Sequence, residues 1–316
     1  MKVSVVVPIY NGEKDLPELI ECLRSQTYAP EEVEYLLVDN NSSDRTKNFI
    51  DAAAENSTIS PQLNPLNIRP LSENKIQSSY AARNTGIRAA TGDIIAFTDA
   101  DCRPQTQWLE KLIEPFTNSN IGIVAGEIVA LPSQNILEKH AESQETLSQK
   151  HTLANAFCPY GQTANLAIRR EAFERVGLFR PYLTTGGDAD ICWRILRETS
   201  YELKLAEEAI VKHRHRSTLA ELESQWRRYG KSNQYLHELY GVDLTRSLTA
   251  KEYFYRLSRW LLKELPGTGI KAILGKADGA DLLNTPIGLF NVRARSRGQR
   301  EAKLPEEARL IASLEE

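Results

Sequence analysis

A doubly wound α/β sheet with helices on both faces is predicted by three observations. Short β-branched runs alternate with segments of helical periodicity. Each run gives way to polar turn formers. Carboxylates gather in those polar clusters, and such sheets bind ligands beyond the C-terminal ends of their strands. The sheet is expected to be mostly parallel, with a helical extension after it.

Val3 to Ile9 is a continuous β-branched run, read as a central strand, and Pro8-Ile9-Tyr10-Asn11-Gly12 ends it in turn chemistry. Leu16, Leu19, Ile20 and Leu23 recur at helical spacing, with Pro17 in the tolerated first turn. Val33 to Val38 predicts a second strand, and the polar run Asp39 to Asp44 can cap a helix over about 45–55. Residues 56–77, rich in Ser, Asn and Pro, predict loops and a weak strand near Ile68. Ser79 to Ala90 reads as a helix despite Gly86, and Thr91-Gly92-Asp93 as a turn before the strand at Ile94.

Further along, Gln105 to Phe116 is expected as a helix and Ile121 to Ala130 as a strand, before a polar, helix-prone excursion over about 135–155. Ala164 to Ile168 predicts a strand and Glu171 to Val176 a helix stopped by Gly177. Gly186-Gly187-Asp188-Ala189-Asp190 opens a helix to about Arg197, Ala209 to His213 is a last strand, and 218–240 is helical.

Composition excludes several classes. The net charge of -3 gives no sign of nucleic-acid binding. No apolar run approaches the ~20 residues needed to span a bilayer, and the apolar part of Met1 to Pro8 is too short for a signal peptide. Cys22, Cys102, Cys158 and Cys192 are scattered without a C-x-x-C pair, which fits reduced, mostly buried thiols. A cytoplasmic protein is expected.

The strand Ile94-Ile95-Ala96-Phe97 runs into Asp99-Ala100-Asp101. Side chains at i and i+2 point the same way while the chain stays extended, so these carboxylates can converge at the strand's end. Their two readings are a site for a hard divalent cation carrying phosphates and a solvated turn.

Four segments stand in a telling order: Val5-Val6-Val7-Pro8-Ile9-Tyr10-Asn11, the strand ending in Asp39, Ala82-Arg83-Asn84-Thr85-Gly86, and Phe97-Thr98-Asp99-Ala100-Asp101. Together they resemble family 2 glycosyltransferases of the GT-A fold, from residue 1 to about 235. The resemblance implies an inverting enzyme that moves a sugar from a nucleoside-diphosphate sugar, UDP or GDP first, to a hydroxyl on a glycan, a lipid-linked sugar or a small molecule. Cell-envelope polysaccharide synthesis is the expected setting. Pro8 and Tyr10 would wall the base and Asp39 accept from its N–H; the alternatives are packing for Tyr10 and a helix cap for Asp39. Arg83 would pair with a phosphate, or else sit in a surface salt bridge. Asp101 and Asp99 would hold Mn²⁺ or Mg²⁺ on the diphosphate.

The family's catalytic base matches Asp188, with helix capping as the alternative, while Gly187 replaces the usual glutamate. Residues at i and i+2 on a helix face apart, so Asp190 is expected to do different work. A histidine completing the metal shell would be His213 or His215, with His213 at the end of its strand. Gln225-Trp226-Arg227-Arg228-Tyr229 resembles a Q-x-x-R-W motif with Tyr in place of Trp, which makes Gln225 and Arg228 candidates for the acceptor or diphosphate. Two competing classes remain: a non-catalytic nucleotide-sugar or glycan-binding relative, favoured by the missing glutamate, and a sugar-phosphate nucleotidyltransferase, disfavoured by the lack of a Gly- and basic-rich loop after the first strand. A dehydrogenase would want G-x-G-x-x-G there, which is absent.

The expected division is a GT-A domain over 1–216, with 1–101 the nucleotide-sugar half and 102–216 the acceptor half, and a basic helical region over 217–316. Thr249-Ala250-Lys251-Glu252 is a capping box. The helix after it should carry Phe254, Leu257, Leu261 and Leu265 on one side and stop at Pro266-Gly267. Residues 251–300 hold ten Lys/Arg and four Asp/Glu, a net of +6 in a chain that is net negative. A basic amphipathic helix carrying Trp260 can lie on an anionic membrane face; the other reading docks it on the catalytic domain with a solvated side.

Overall fold

Val3–Ile9 (β1) and Val33–Asp39 (β2) are buried at every position, as strands covered on both faces must be. They pair in parallel from Val3 opposite Val33 to Ile9 opposite Asp39, so both end at one level. The computed structural model describes residues 1–59 and 66–315, and the loop expected across 60–65 lies outside the described residues.

The remaining strands are Ile68–Ser72 (β3), Ile94–Thr98 (β4), Cys102–Pro104 (β5), Ile121–Ala130 (β6), Asn165–Arg169 (β7) and Glu202–His213 (β8), in the order β3-β2-β1-β4-β7-β6-β8-β5. β1 pairs in parallel with β2 and β4, and β2 with β3. β7 runs antiparallel to β4 and β6, and β5 antiparallel to β8, which makes the eight-stranded sheet mixed. β8 begins seven residues before the expected Ala209 because Glu202 to Glu208 alternates charged and apolar residues with partial exposure and so offers no apolar run.

Helices Leu16–Arg24 (α1), Thr46–Ile59 (α2), Ser79–Ala89 (α3), Trp108–Ile113 (α4), Gln149–Leu153 (named α6, after the second unit's α5 at Ile136–Ser143), Arg170–Val176 (α7) and Gly187–Glu198 (α8) accompany this sheet. α1 buries the four residues its periodicity selects, Leu16, Leu19, Ile20 and Leu23. Gly86 is tolerated within α3 because a β-carbon there would collide with Val6, so the helix packs against β1 at backbone distance. At the centre, the fully buried Asn165 side chain accepts from Trp108 Nε1 at 2.7 Å and donates to the carbonyls of Glu127 and Ala209 at 2.8 and 2.7 Å. One amide thereby satisfies groups on three elements.

The chain forms two compact units: Met1–Val129 with Leu147–His213 and Pro305–Glu316, and Ala130–Thr146 with Arg214–Leu304. The second unit is helical. It holds α5, Leu219–Tyr240 (α9), Ala250–Arg259 (α10), Leu265–Ile273 (α11) and Gly279–Glu301 (α12). α9 and α12 approach closely at two glycines: a β-carbon on Gly230 would strike the Arg295 carbonyl, and one on Gly298 the Arg227 carbonyl.

Thr249 and Glu252 cap α10 reciprocally, as expected from the sequence. The helix does not stop at Pro266-Gly267. A π-helical turn, Trp260–Glu264, carries it into α11 without a break in helical backbone, and Pro266 lies just after that wider turn. Trp260 is half-buried, and its Nε1 donates to the Leu282 carbonyl of α12 at 2.8 Å. Among the described residues, no helix is long and apolar enough to cross a membrane.

Candidate active site

Because β1 and β2 end together, their following loops interlock. The Asn40 N–H donates to the Ile9 carbonyl at 2.7 Å, the Gly12 N–H to Thr46 Oγ1 at 2.8 Å, and the Ser43 N–H to Asn11 Oδ1 at 2.8 Å. Asn11 and Asn41 make these turns with φ of 52° and 59°, a region Asn tolerates. Pro8 is buried in β1, while Tyr10 is 58% exposed beside it. Asp39 is buried, and its Oδ1 accepts the Ser42 N–H at 3.3 Å. The first turn of α2 is instead served by Asp44, which accepts from the Thr46 N–H at 3.0 Å.

Asp99 and Asp101 go to different partners. The Cys102 N–H donates to the Asp99 carbonyl at 3.1 Å, which folds the chain into a turn and ends the extended conformation that would align the two side chains. Asp99 Oδ1 lies 2.6 Å from Arg83 Nη2. The Arg83 guanidinium sits 5.5 Å from the Tyr80 ring centroid, and Arg83 is buried rather than on the surface. Its Nε is buried without a hydrogen-bond partner among the described residues.

Asp101 turns toward β8. The β5–β8 register sets Cys102 opposite His213, and His213 Nε2 lies 3.2 Å from Asp101 Oδ2. Asp101, Cys102 and His213 bring one ligand atom each within 4.8 Å of one another. Burial, reinforced by Asp99 and Asp101, pushes the Cys102 thiol well up, so it is protonated at neutral pH. The carboxylate and imidazole of this group fit a divalent ion such as Mn²⁺, with the thiol beside them. His215 belongs to the second unit and is buried there.

Asp188 and Asp190 share the first turn of α8 but not an environment. Asp190 is fully buried between Arg180 Nε at 2.8 Å and Arg194 Nη2 at 2.9 Å, a structural ion-pair network. The Asp188 carboxylate caps nothing in its own helix. It accepts from the Thr163 hydroxyl at 3.0 Å and the Thr163 N–H at 3.3 Å. Burial raises its pKa; Arg83 opposes that, Asp99 adds to it, and the Thr163 hydrogen bonds oppose it.

Gly186, with φ of 83°, starts α8. A β-carbon on Gly187 would lie 2.6 Å from Tyr80 Cζ, and the Gly187 N–H donates to the Tyr80 hydroxyl at 3.0 Å. Gln225 and Arg228 lie on α9 in the second unit, Gln225 buried and Arg228 exposed.

Sequence reasoning missed Thr163, Tyr80 and Cys102 as neighbours of these groups. Thr163 is 25 residues from Asp188 and Tyr80 is 107 from Gly187, with no local pattern linking either pair. The only available signal was the odd Gly187 itself, a position emptied of side chain because a distant ring fills it.

A mixed α/β sheet with acidic turns beyond its parallel strands is the architecture of GT-A glycosyltransferases. The chain belongs to Glycosyl transferase family 2, whose profile matches residues 4–177, and a related group 2 profile matches 94–269. Glycosyltransferase AglE of Haloferax volcanii is 31% identical over 261 residues, covering 82% of this chain and 80% of that protein. The pre-mycofactocin glycosyltransferase of Mycobacterium tuberculosis is 28% identical over 237 residues, covering 73% of this chain and 46% of that one. In fold, the chain is similar to mannosyltransferase PcManGT from Pyrobaculum calidifontis, solved in complex with GDP-Man and Mn²⁺, with a TM-score of 0.62, 18% identity, and coverage of 95% and 87%. It is also similar to S. aureus TarS 1-349 in complex with UDP-GlcNAc, with a TM-score of 0.50, 14% identity, and coverage of 95% and 90%. The protein is a glycosyltransferase.

Proposed function

We propose that this enzyme transfers a sugar, with inversion, from a nucleoside-diphosphate sugar to a hydroxyl acceptor in the presence of a divalent cation. The observation that carries the reading is the 3.2 Å approach of His213 Nε2 to Asp101 Oδ2 in the sheet that also bears Asp39. Asp101 and His213 would hold Mn²⁺ or Mg²⁺, and the GDP-Man and Mn²⁺ bound by the Pyrobaculum enzyme support that class of donor and ion. When bound, the cation neutralises charge on the departing diphosphate.

The protein's own residues do the remaining work. Tyr10 and Pro8 form a wall for the base, and Asp39 accepts from its edge N–H. Arg83, its buried Nε unused, meets a phosphate while Asp99 sets its orientation. The Asp188 carboxylate takes the acceptor proton as the acceptor oxygen bonds to the sugar's anomeric carbon and the bond to the diphosphate breaks, its electron pair leaving with the nucleotide. Thr163 holds that carboxylate in place. The acceptor is a glycan, a lipid-linked sugar or a small molecule.

The test is a thermal-shift panel of UDP, GDP, dTDP and CMP with their sugars, in Mn²⁺ and in chelator. A ligand at ~100 times its Kd adds roughly 2.7 kcal/mol. A metal-dependent shift with one nucleotide class supports the reading. No shift with any of them would favour a relative that has lost donor binding.

A further inference from the structure

We propose that α10, the π-helical turn and α11 lie on an anionic lipid surface. On the α12 side this segment is pinned by polar groups: Tyr253 Oη donates to the Leu289 carbonyl at 3.3 Å, Trp260 Nε1 to the Leu282 carbonyl at 2.8 Å, and Thr285 Oγ1 to Glu264 Oε2 at 2.6 Å. Large apolar side chains are left in solvent. Phe254, Leu257 and Leu261 recur at i, i+3 and i+7, and Ile270, Ile273 and Leu274 at i, i+3 and i+4. Phe254 and Leu262 are each 77% exposed and Ile273 is 87% exposed. Large apolar side chains left exposed at helical spacing over successive turns are the mark of an interaction face.

Charge names the occupant. Glu252 is taken up by the Thr249 cap and by Arg246 Nη2 at 2.6 Å, and Glu264 by Arg259 Nε at 2.9 Å. Lys251, Arg256, Lys263, Lys271 and Lys276 form no ion pair among the described residues. An open groove of about 480 Å³ between α10 and α12 is lined by Arg256, by the Arg259–Glu264 ion pair, and by Tyr255, Leu289 and Val292. Arg256, without an ion-pair partner among the described residues, beside Leu289 and Val292 suits a phosphate headgroup and the start of its acyl chains. A second copy would bring these unpaired cations against themselves across a two-fold axis, whereas an anionic bilayer supplies both the countercharge and the apolar phase.

The experiment is co-sedimentation of the full chain with phosphatidylcholine vesicles and with phosphatidylcholine–phosphatidylglycerol vesicles. About tenfold stronger partition onto the anionic vesicles is expected, weakening with salt. Leu262→Glu with Ile273→Glu, and separately Lys263→Glu with Lys271→Glu, should each abolish it. All four positions are exposed, so the melting temperature and the metal-dependent nucleotide shift should stay at wild-type values in both variants. Equal partition onto both vesicles, no partition onto either, or wild-type partition of either variant would overturn the proposal. So would conversion of a dimer to a monomer by the first variant, since a second copy would then be what covers the face.

Discussion

Tyr80 occupies the volume that a side chain on Gly187 would need, and its hydroxyl accepts the Gly187 N–H at 3.0 Å. The ring is held from two sides, stacked on Phe179 at 5.6 Å and against the Arg83 guanidinium. The glutamate usual here in the family is therefore excluded by packing, while Asp188 one residue later keeps its place.

Gly187→Ala should cost about 1–3 kcal/mol, the usual range for forcing a methyl group into a packed interior. Urea denaturation monitored by fluorescence measures it. A variant as stable as the parent would mean that Tyr80 yields.

Asp188→Asn should lower transfer by about 10²–10⁴-fold, the range for loss of a general base, while donor affinity is kept. Stability should move the other way. A carboxylate whose folded pKa is raised weakens the folded state once it is charged, a cost present at neutral pH and relieved as pH falls through the folded value toward the unfolded one. The asparagine variant should thus melt no lower than the parent at neutral pH. In the parent, the acid limb of the rate profile should lie above the ordinary carboxylate range.

His213→Ala should weaken Mn²⁺-dependent nucleotide binding by about tenfold or more, equivalent to about 1.4 kcal/mol, and leave metal-free binding alone. Isothermal titration with and without chelator separates the two. Equal affinity in both proteins would remove His213 from the metal site.

Glu34 gives a pH dependence of a different kind. Burial alone would push its pKa up, but hydrogen bonds from Ser4 Oγ at 2.6 Å, Arg69 at 2.5 Å, and the Thr91 N–H and hydroxyl at 2.6 and 2.8 Å hold it down. Its contribution is full above the unfolded glutamate range and is lost as pH falls through the depressed folded value. Glu34→Gln should cost about 1–3 kcal/mol at neutral pH and flatten the acid limb of the stability curve, read from denaturation midpoints.

Gly298→Leu should separate α9 from α12, because the Arg227 carbonyl leaves no space for a side chain. Loss of protection in the second unit's amide exchange, with the sheet's protection retained, is the expected result.

The sequence alone determined the elements whose apolar pattern is local: β1 and β2, the α1 stripe, the capped start of α10, and the order of acidic turns that marks the family. Periodicity and turn chemistry act over a few residues, so they can be read without a fold. Tertiary structure decided which acids meet. The turn at Asp99 sends one carboxylate to Arg83 and the other to His213, and the β5–β8 register that completes the second pair joins residues more than a hundred positions apart. The same holds for Thr163 on Asp188 and for Tyr80 in the space beside Gly187. It also holds for α10 and α11: the apolar stripe of α10 was legible, but the helix's continuation into α11 was not, and the exposure of both depended on which side α12 took. Contacts between distant segments are set by packing and register, and a single chain read in order carries no record of either.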